Sequence, residues 1–162
     1  MMKKFIYVFV MAFSKLALAN IPNGNYKIEK IQCQSGKVMK LGGKFMIYEI
    51  FLKVSGNEMT MTAKANSADW APFKLNCTQV NQGQFQYTQA GQFEGDLPNI
   101  SVECNNPSWT NILKKRLFGV EQFGTFDYSF DGSQLVIQNK DTITKYSCDQ
   151  NGDYPIYYYK KL

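Results

Sequence analysis

Apolar and polar residues alternate with a period of two along most of the chain after residue 20, and this pattern constrains the fold more than any other feature. Such alternation is typical of strands that bury one face, whereas helices repeat every 3.6 residues. The clearest example spans residues 48–63 and is interrupted only by the turn residues 55–57. Its apolar row consists of Tyr48, Ile50, Leu52, Val54, Met59, Met61 and Ala63. These residues predict a β-hairpin.

A second hairpin is predicted over residues 126–137. It turns at Asp131-Gly132, a pair that suits the positive φ angles of a type I′ turn. Further strands are predicted at residues 26–33, 73–79, 84–88, 99–104, 142–148 and 154–160. Glycine and asparagine separate most of them, and Glu94-Gly95-Asp96 has the composition of a solvated turn.

One segment has helical spacing instead. Trp109, Ile112 and Leu113 fall on one face of a helix predicted over residues 108–118. Ser108 is the predicted N-cap, and Gly119 is placed to end the helix.

The whole pattern predicts a mostly β fold: one antiparallel barrel, or a two-sheet sandwich, of about 8–10 strands with a single short helix. Closure into a barrel is favoured because it removes exposed strand edges. The two halves also resemble each other, since the spacing from Cys33 to Cys77 equals that from Cys104 to Cys148. An internal duplication is therefore an open possibility.

The N-terminus has the three parts of a secretory signal peptide. Lys3 and Lys4 precede the apolar stretch 5–13, and Ala17-Leu18-Ala19 is a small-residue cleavage site. We expect a signal peptide at residues 1–19 and a single β-rich domain at residues 20–162. The expected location is the bacterial periplasm or the extracellular space, with no stable membrane span in the mature domain.

Four cysteines, Cys33, Cys77, Cys104 and Cys148, predict two disulfides in an exported chain. Spacing alone leaves all three pairings open. Pairs within the halves, Cys33–Cys77 and Cys104–Cys148, are the natural choice if the halves are duplicated.

The composition argues against most enzyme chemistry. The chain contains no histidine, which removes histidine-based triads and the commonest general base near neutral pH. No glycine-rich phosphate loop or closely spaced metal-ligand motif occurs, so no metal or cofactor is predicted. The formal charge of +5 falls when Lys3, Lys4 and Lys15 leave with the signal peptide, and nucleic acid is not an expected partner.

A family resemblance adds to this picture. Gly24-Asn25-Tyr26, just before the first strand, is similar to the Gly-x-Trp start of lipocalins, with tyrosine in place of tryptophan. The up-and-down run of hairpins resembles that family too. The resemblance implies a barrel with an internal pocket for a small apolar ligand.

The first predicted function is accordingly the binding of a small amphipathic or apolar ligand. Its predicted wall is formed by Tyr48, Leu52, Met59, Met61, Phe126, Tyr128 and Phe130. The predicted rim, which would attract an anionic group, is formed by Lys37, Lys40, Lys114 and Lys115.

The alternative is a protein–protein interaction module, such as an inhibitor or an envelope adaptor, that binds an extracellular or envelope protein. It would act through basic loops and outward tyrosines, for which Tyr157 and Tyr159 are the candidates. Trp70 is either a surface anchor or a plug at one end of the barrel.

Overall fold

A computed structural model describes residues 20–116, 122–139, 148 and 153–162. The predicted signal peptide at residues 1–19 and most of the predicted strand at 142–148 lie outside the described residues. In the described part, no helix has the length and apolar character of a membrane span. The elements are β1 (Gly24–Cys33), β2 (Val38–Met39), β3 (Met46–Ser55), β4 (Glu58–Ser67), β5 (Asn76–Gln89), β6 (Gln92–Leu97), β7 (Asn99–Cys104), α1 (Pro107–Arg116), β8 (Gln122–Phe130), β9 (Gln134–Asn139) and β10 (Pro155–Lys161).

Eight of these strands form a closed antiparallel barrel, which confirms the predicted fold class. Their order around the barrel is β1, β3, β4, β5, β6, β8, β9 and β10, and β10 then pairs with β1. The closing register runs from Tyr26 opposite Lys161 to Cys33 opposite Pro155. Strand β2 pairs with β1, and β7 pairs with the first half of β5. Sequential strands are therefore spatial neighbours, and the barrel leaves no edge in its main wall.

Strand β5 corrects one prediction. Residues 73–79 and 84–88 were predicted as two strands separated at Gly83, but β5 is continuous from Asn76 to Gln89. Gly83 lies inside it because β6 approaches closely at this point: a Cβ on Gly83 would lie 1.6 Å from the carbonyl oxygen of Asp96. The glycine provides room for this approach rather than a turn.

Strand β6 was missed by the sequence prediction. Glu94-Gly95-Asp96, predicted as a solvated turn, lies within β6 and pairs with both β5 and β8. The preceding Phe93 is almost completely buried. Pro98 separates β6 from β7. The Asn81 side-chain amide of β5 is fully buried beside this break and donates a hydrogen bond of 3.1 Å to the Leu97 carbonyl.

The turn of the β8–β9 hairpin also differs from its prediction. Gly132 has a φ of 101°, but no described non-glycine residue has a positive φ, so a type I′ turn at Asp131-Gly132 is excluded. The backbone N–H of Asp131 bonds the Gln134 carbonyl, which leaves Gly132 and Ser133 as the loop. Glycine at the first loop position is typical of a type II′ turn. The Asp131 carboxylate accepts hydrogen bonds from the N–H groups of Ser133 and Gln134, which lower its pKa.

The predicted helix is present as α1, with a different cap. Asn106, rather than Ser108, precedes the first turn: its side-chain oxygen accepts the Ser108 N–H at 3.0 Å. Pro107 occupies the first helical position, where its missing N–H costs nothing. The described helix ends at Arg116, and residues 117–121 lie outside the described part.

Disulfides join Cys33 to Cys148 and Cys77 to Cys104. The prediction of two disulfides is confirmed, but the pairing within the halves is wrong. Cys77 and Cys104 lie directly opposite each other on β5 and β7, so the strand register brings them together. In a duplication, Cys33 would correspond to Cys104 and Cys148 to Cys77, so the Cys33–Cys148 bridge would correspond to the Cys104–Cys77 bridge. The observed pairing is therefore compatible with a duplication.

Among the described residues, this topology produces two apolar cores. The main core fills the barrel and includes Tyr26, Met59, Phe93, Phe126 and Leu135. A smaller one lies where β3, β4 and β5 extend past the barrel and meet β7. Its residues are Ala65, Leu75, Cys77 and Val102, with Met46, Tyr48 and Cys104 packed against them.

Candidate functional site

The structure places most of the predicted ligand wall inside the barrel. Leu52, Met59, Phe126 and Tyr128 are buried in the main core, and Met61 and Phe130 pack against it. Tyr48 is the exception, because it packs against the smaller core beyond the barrel. The alternating pattern correctly predicts that Tyr48 lies on the inner face of β3. This part of β3, however, extends beyond the barrel wall.

The space enclosed by these side chains is small. An interior cavity has a volume of about 20 Å³. It is lined by Leu52, Met59, Met61, Phe93, Leu97, Phe126, Ile137, Tyr157 and Tyr159. A cavity of this size holds about one water molecule, whereas ligand pockets are usually about 300–1,000 Å³. Leu52, Met59, Met61 and Phe126 of the predicted wall therefore pack closely around this small cavity.

Aromatic rings account for much of this filling. Phe93 stacks on Phe126 with ring centroids 4.8 Å apart, and Phe85 meets Phe93 edge-on at 5.2 Å. Tyr26, at the start of β1, is fully buried, and its hydroxyl donates a 2.6 Å hydrogen bond to the Pro22 carbonyl. The tyrosine that resembles the lipocalin tryptophan thus closes one end of the barrel.

The orientation of the C-terminal tyrosines corrects another prediction. Tyr157 and Tyr159 were predicted as outward binding residues, but both line the interior cavity. Tyr158 points outward, where the Lys30 ammonium lies 4.2 Å from its ring centroid. The predicted alternation along β10 is correct, but the face predicted to point outward is the buried one. A period of two shows that a strand has two different faces and does not identify which of them is buried.

Burial of these phenols predicts a loss of stability at alkaline pH. Desolvation raises the pKa of Tyr157 to about 12, and that of Tyr159 further still. The folded state therefore holds these protons more tightly than the unfolded chain, whose tyrosines ionise near 10. The stabilisation is complete below pH 10 and disappears as the pH rises through 12.

A spectroscopic titration tests this prediction. The tyrosinate absorbance of Tyr157→Phe should lose one late, cooperative step relative to the parent protein, and the step should coincide with unfolding followed by circular dichroism. Tyr158→Phe, on the outer face of the same strand, is the control and should leave the late step in place. A late step that survives Tyr157→Phe unchanged would show that this phenol is not buried.

The predicted basic rim is only partly observed. Lys37 and Lys40 are exposed near the Cys33 end of the barrel, whereas the side chains of Lys114 and Lys115 lie outside the described residues. Lys37 is close enough to Asp153 to contribute to lowering the pKa of that carboxyl, which is lowered mainly by hydrogen bonds from Ser35. Asp153 also lies near the sulfurs of Cys33 and Cys148, but those sulfurs are joined in a disulfide and cannot ligate a metal as thiolates.

A cluster of exposed aromatic rings lies at this same end of the molecule. Phe45, Trp70 and Phe73 are 37%, 62% and 39% exposed. The Phe45 ring lies 5.2 Å from Trp70 and 6.3 Å from Phe73. We call these three residues the aromatic tip. Phe45 precedes β3, and the other two lie in the loop between β4 and β5.

Backbone contacts hold the aromatic tip in its outward position. The N–H of Ala68 donates to the Phe45 carbonyl at 2.8 Å and so ties the two loops together. Ser67 and Leu75 close the base of the second loop through a 2.7 Å backbone bond, and the Leu75 side chain enters the smaller core. Because the inner sides of the loops are anchored, the rings face solvent.

Lysines surround the aromatic tip. The Lys44 ammonium lies 5.5 Å from the centroid of the Phe45 ring, and Lys74 donates to the Asp69 carbonyl at 2.8 Å. Lys40 is exposed in the same connection as Lys44. Asp69 is the single acidic side chain in residues 40–46 and 68–75. The Lys27–Glu49 ion pair does not involve these lysines.

Sequence reasoning identified Trp70 as a possible anchor and Lys40 as a rim residue, but it missed Phe45 and Phe73. Phe73 was assigned to a strand, although β5 begins at Asn76. The available signal was the repeated pairing of lysine with an aromatic residue in the two connections, Lys44-Phe45 and Phe73-Lys74.

No protein-family model matches this chain, and comparisons with curated proteins and with solved structures each found no similar protein. The function must therefore be inferred from the chain's own geometry.

Proposed function

We propose that this chain is an exported, non-enzymatic binding module that uses the barrel as a rigid scaffold and binds its partner through the aromatic tip. The observation that carries this proposal is the contrast between the apolar side chains that fill the barrel interior and the aromatic rings that are exposed at its end. The interior cavity that the described residues line has a volume of about 20 Å³, whereas three clustered rings are exposed outside. An exposed aromatic cluster on an otherwise packed domain is typical of an interaction site.

The small-ligand function is less well supported by this geometry. The eight strands follow the up-and-down order of lipocalin-like barrels. We propose that the likeness is limited to this strand order and does not extend to an internal pocket. A lipocalin-like pocket requires an interior free of large side chains, and here Phe93, Phe126 and Tyr159 occupy that space. A ligand of fatty-acid size would have to displace several of these rings.

Export is supported by the two disulfides. Such bonds persist in the periplasm and outside the cell, and reducing conditions in the cytosol disfavour them. They also make a small barrel resistant to unfolding, which suits a scaffold that carries a binding surface.

The environments of Glu49, Glu94 and Asp96 support a non-enzymatic role. Glu49 is hydrogen-bonded to the Lys27 ammonium at 2.6 Å, an interaction that lowers the pKa of its carboxyl. A general acid near neutral pH needs a raised pKa instead. Glu94 and Asp96 line an open groove of about 420 Å³ together with amide side chains, and both are exposed.

Site-specific photo-crosslinking tests the proposed binding surface. A benzophenone side chain at position 70 should form adducts with an envelope or extracellular component in intact cells. The same group at Tyr158, an aromatic position on the outer barrel wall, is the matched control and should form few. Adducts at 158 with none at 70 would move the binding surface to the barrel wall and contradict the proposal.

A further inference from the structure

We infer that the aromatic tip docks on an anionic lipid bilayer surface, an inference that rests on the proposed function and names its partner. The tip has the two properties that such a surface selects for. Aromatic rings prefer the membrane–water interface, and lysines are attracted to anionic headgroups. Here both occur in two short connections at one end of the barrel.

The position of the rings suits shallow insertion. Phe45, Trp70 and Phe73 come from loops at the end of β3, β4 and β5, so they project past the strand ends rather than from the barrel wall. Trp70 is the most exposed of the three at 62%. Burial of such rings in the interfacial region removes apolar area from water without requiring the protein to span the bilayer.

The charges complement an anionic surface. Lys44 and Lys74 are exposed beside the rings, and Lys40 is exposed in the same connection as Lys44. Asp69 opposes them with a single negative charge. The Lys74 ammonium already bonds the carbonyl of Asp69, and Lys44 lies over the Phe45 ring. Both ammonium groups are thereby held beside the aromatic rings. A headgroup phosphate at the tip would therefore meet ammonium groups and aromatic faces together.

The projecting shape and the positive charge of the tip favour a lipid surface as its partner. Two open grooves among the described residues, of about 420 and 320 Å³, are lined by residues of β5, β6, β8, β9 and β10 and by Asn57, none of them from the tip. The tip is thus a projecting basic and aromatic surface. Its electrostatic attraction requires a dense array of negative charge and no particular shape in the partner.

Vesicle co-sedimentation tests the inference with the mature, disulfide-bonded protein. Vesicles of phosphatidylcholine mixed with phosphatidylglycerol should bind the protein, and pure phosphatidylcholine vesicles should bind it far more weakly. High salt should weaken the binding to the anionic vesicles. Each lysine near the surface contributes roughly a five-fold factor, so changing Lys40, Lys44 and Lys74 to Ser should weaken binding roughly 100-fold.

Two matched controls distinguish binding through the tip from attraction by the protein's overall positive charge and from binding through any exposed indole. Changing Lys53, Lys160 and Lys161 to Ser removes the same charge at the opposite end of the barrel and should weaken binding only a few-fold. Trp70→Ser should reduce binding at least ten-fold, whereas Trp109→Ser, which removes an indole 40% exposed on α1, should not.

The outcomes distinguish this inference from the proposed function. Absence of binding to anionic vesicles, together with adducts to a protein from position 70, would overturn the lipid partner and leave the aromatic tip as a protein-binding surface. Vesicle binding that is unchanged by Trp70→Ser and by the three lysine substitutions would overturn the tip itself as the docking site. Retained secondary structure in each variant, followed by circular dichroism, shows that the loss of binding is local.

Discussion

Removal of the Cys33–Cys148 disulfide is expected to lower the free energy of unfolding by roughly 4–5 kcal/mol, enough to unfold much of a marginally stable domain. The bridge closes a sequence separation of 115 residues, whereas Cys77–Cys104 closes 27. A cross-link over a longer loop removes more conformational entropy from the unfolded chain. It also fixes the Cys33 end of β1 against the chain that leads into β10, the pair of strands that closes the barrel.

Urea denaturation of C33A/C148A and C77A/C104A, each under non-reducing conditions, measures this difference. The second variant serves as the matched control and should lose about 3–4 kcal/mol. Greater destabilisation of C77A/C104A than of C33A/C148A would contradict the assignment of the long cross-link as the principal constraint on the unfolded chain.

Gly83→Ala is expected to destabilise the barrel by about 3 kcal/mol or more. The added Cβ would lie 1.6 Å from the Asp96 carbonyl oxygen and 2.7 Å from its carbon, so β5 and β6 would have to separate where β5 passes from the β7 pairing to the β6 pairing. Both contacts are with backbone atoms, which cannot rotate away as a flexible side chain would.

Gly43→Ala is the control for this substitution. Nothing lies within 4 Å of a Cβ at Gly43, and the residue has no positive φ, so the change should alter stability by less than about 0.5 kcal/mol. Thermal or urea unfolding of the two variants gives the comparison. Equal stability of both would show that β6 does not approach β5 at Gly83.

The barrel itself was predictable because alternation is a local property of each strand. Leu52 and Met59 occur on the predicted inner row and are buried, and the number of short strands favoured closure. The extra strands β2 and β7 and the end of β3 beyond the barrel were not predictable in the same way. Their position depends on which strands meet in space, a long-range property that the local pattern does not contain.

The errors at Gly83 and at residues 94–96 have a common cause. Glycine and acidic residues usually mark turns, but here they lie in β5 and β6, where two strands approach too closely for a side chain. A tertiary contact therefore determined the local structure. Glu94 and Asp96 are charged because they lie on the exposed face of β6, not because they belong to a loop.

The candidate site was only partly predictable. Tyr157 and Tyr159 have the composition of a binding surface, and their burial became evident only from the pairing of β10 with both β9 and β1. The aromatic tip combines residues from two connections separated by strands β3 and β4. Trp70 alone is an ambiguous signal, and its meaning depends on Phe45 and Phe73 beside it.

Native mass spectrometry of the mature protein, purified without reductant from its own host, tests the central claim that the barrel interior is a packed core. We predict the bare mass of a chain with two disulfides and no bound small molecule. A small molecule that survives gentle ionisation and leaves only on unfolding would contradict the claim, because it would require an interior far larger than the observed cavity of about 20 Å³.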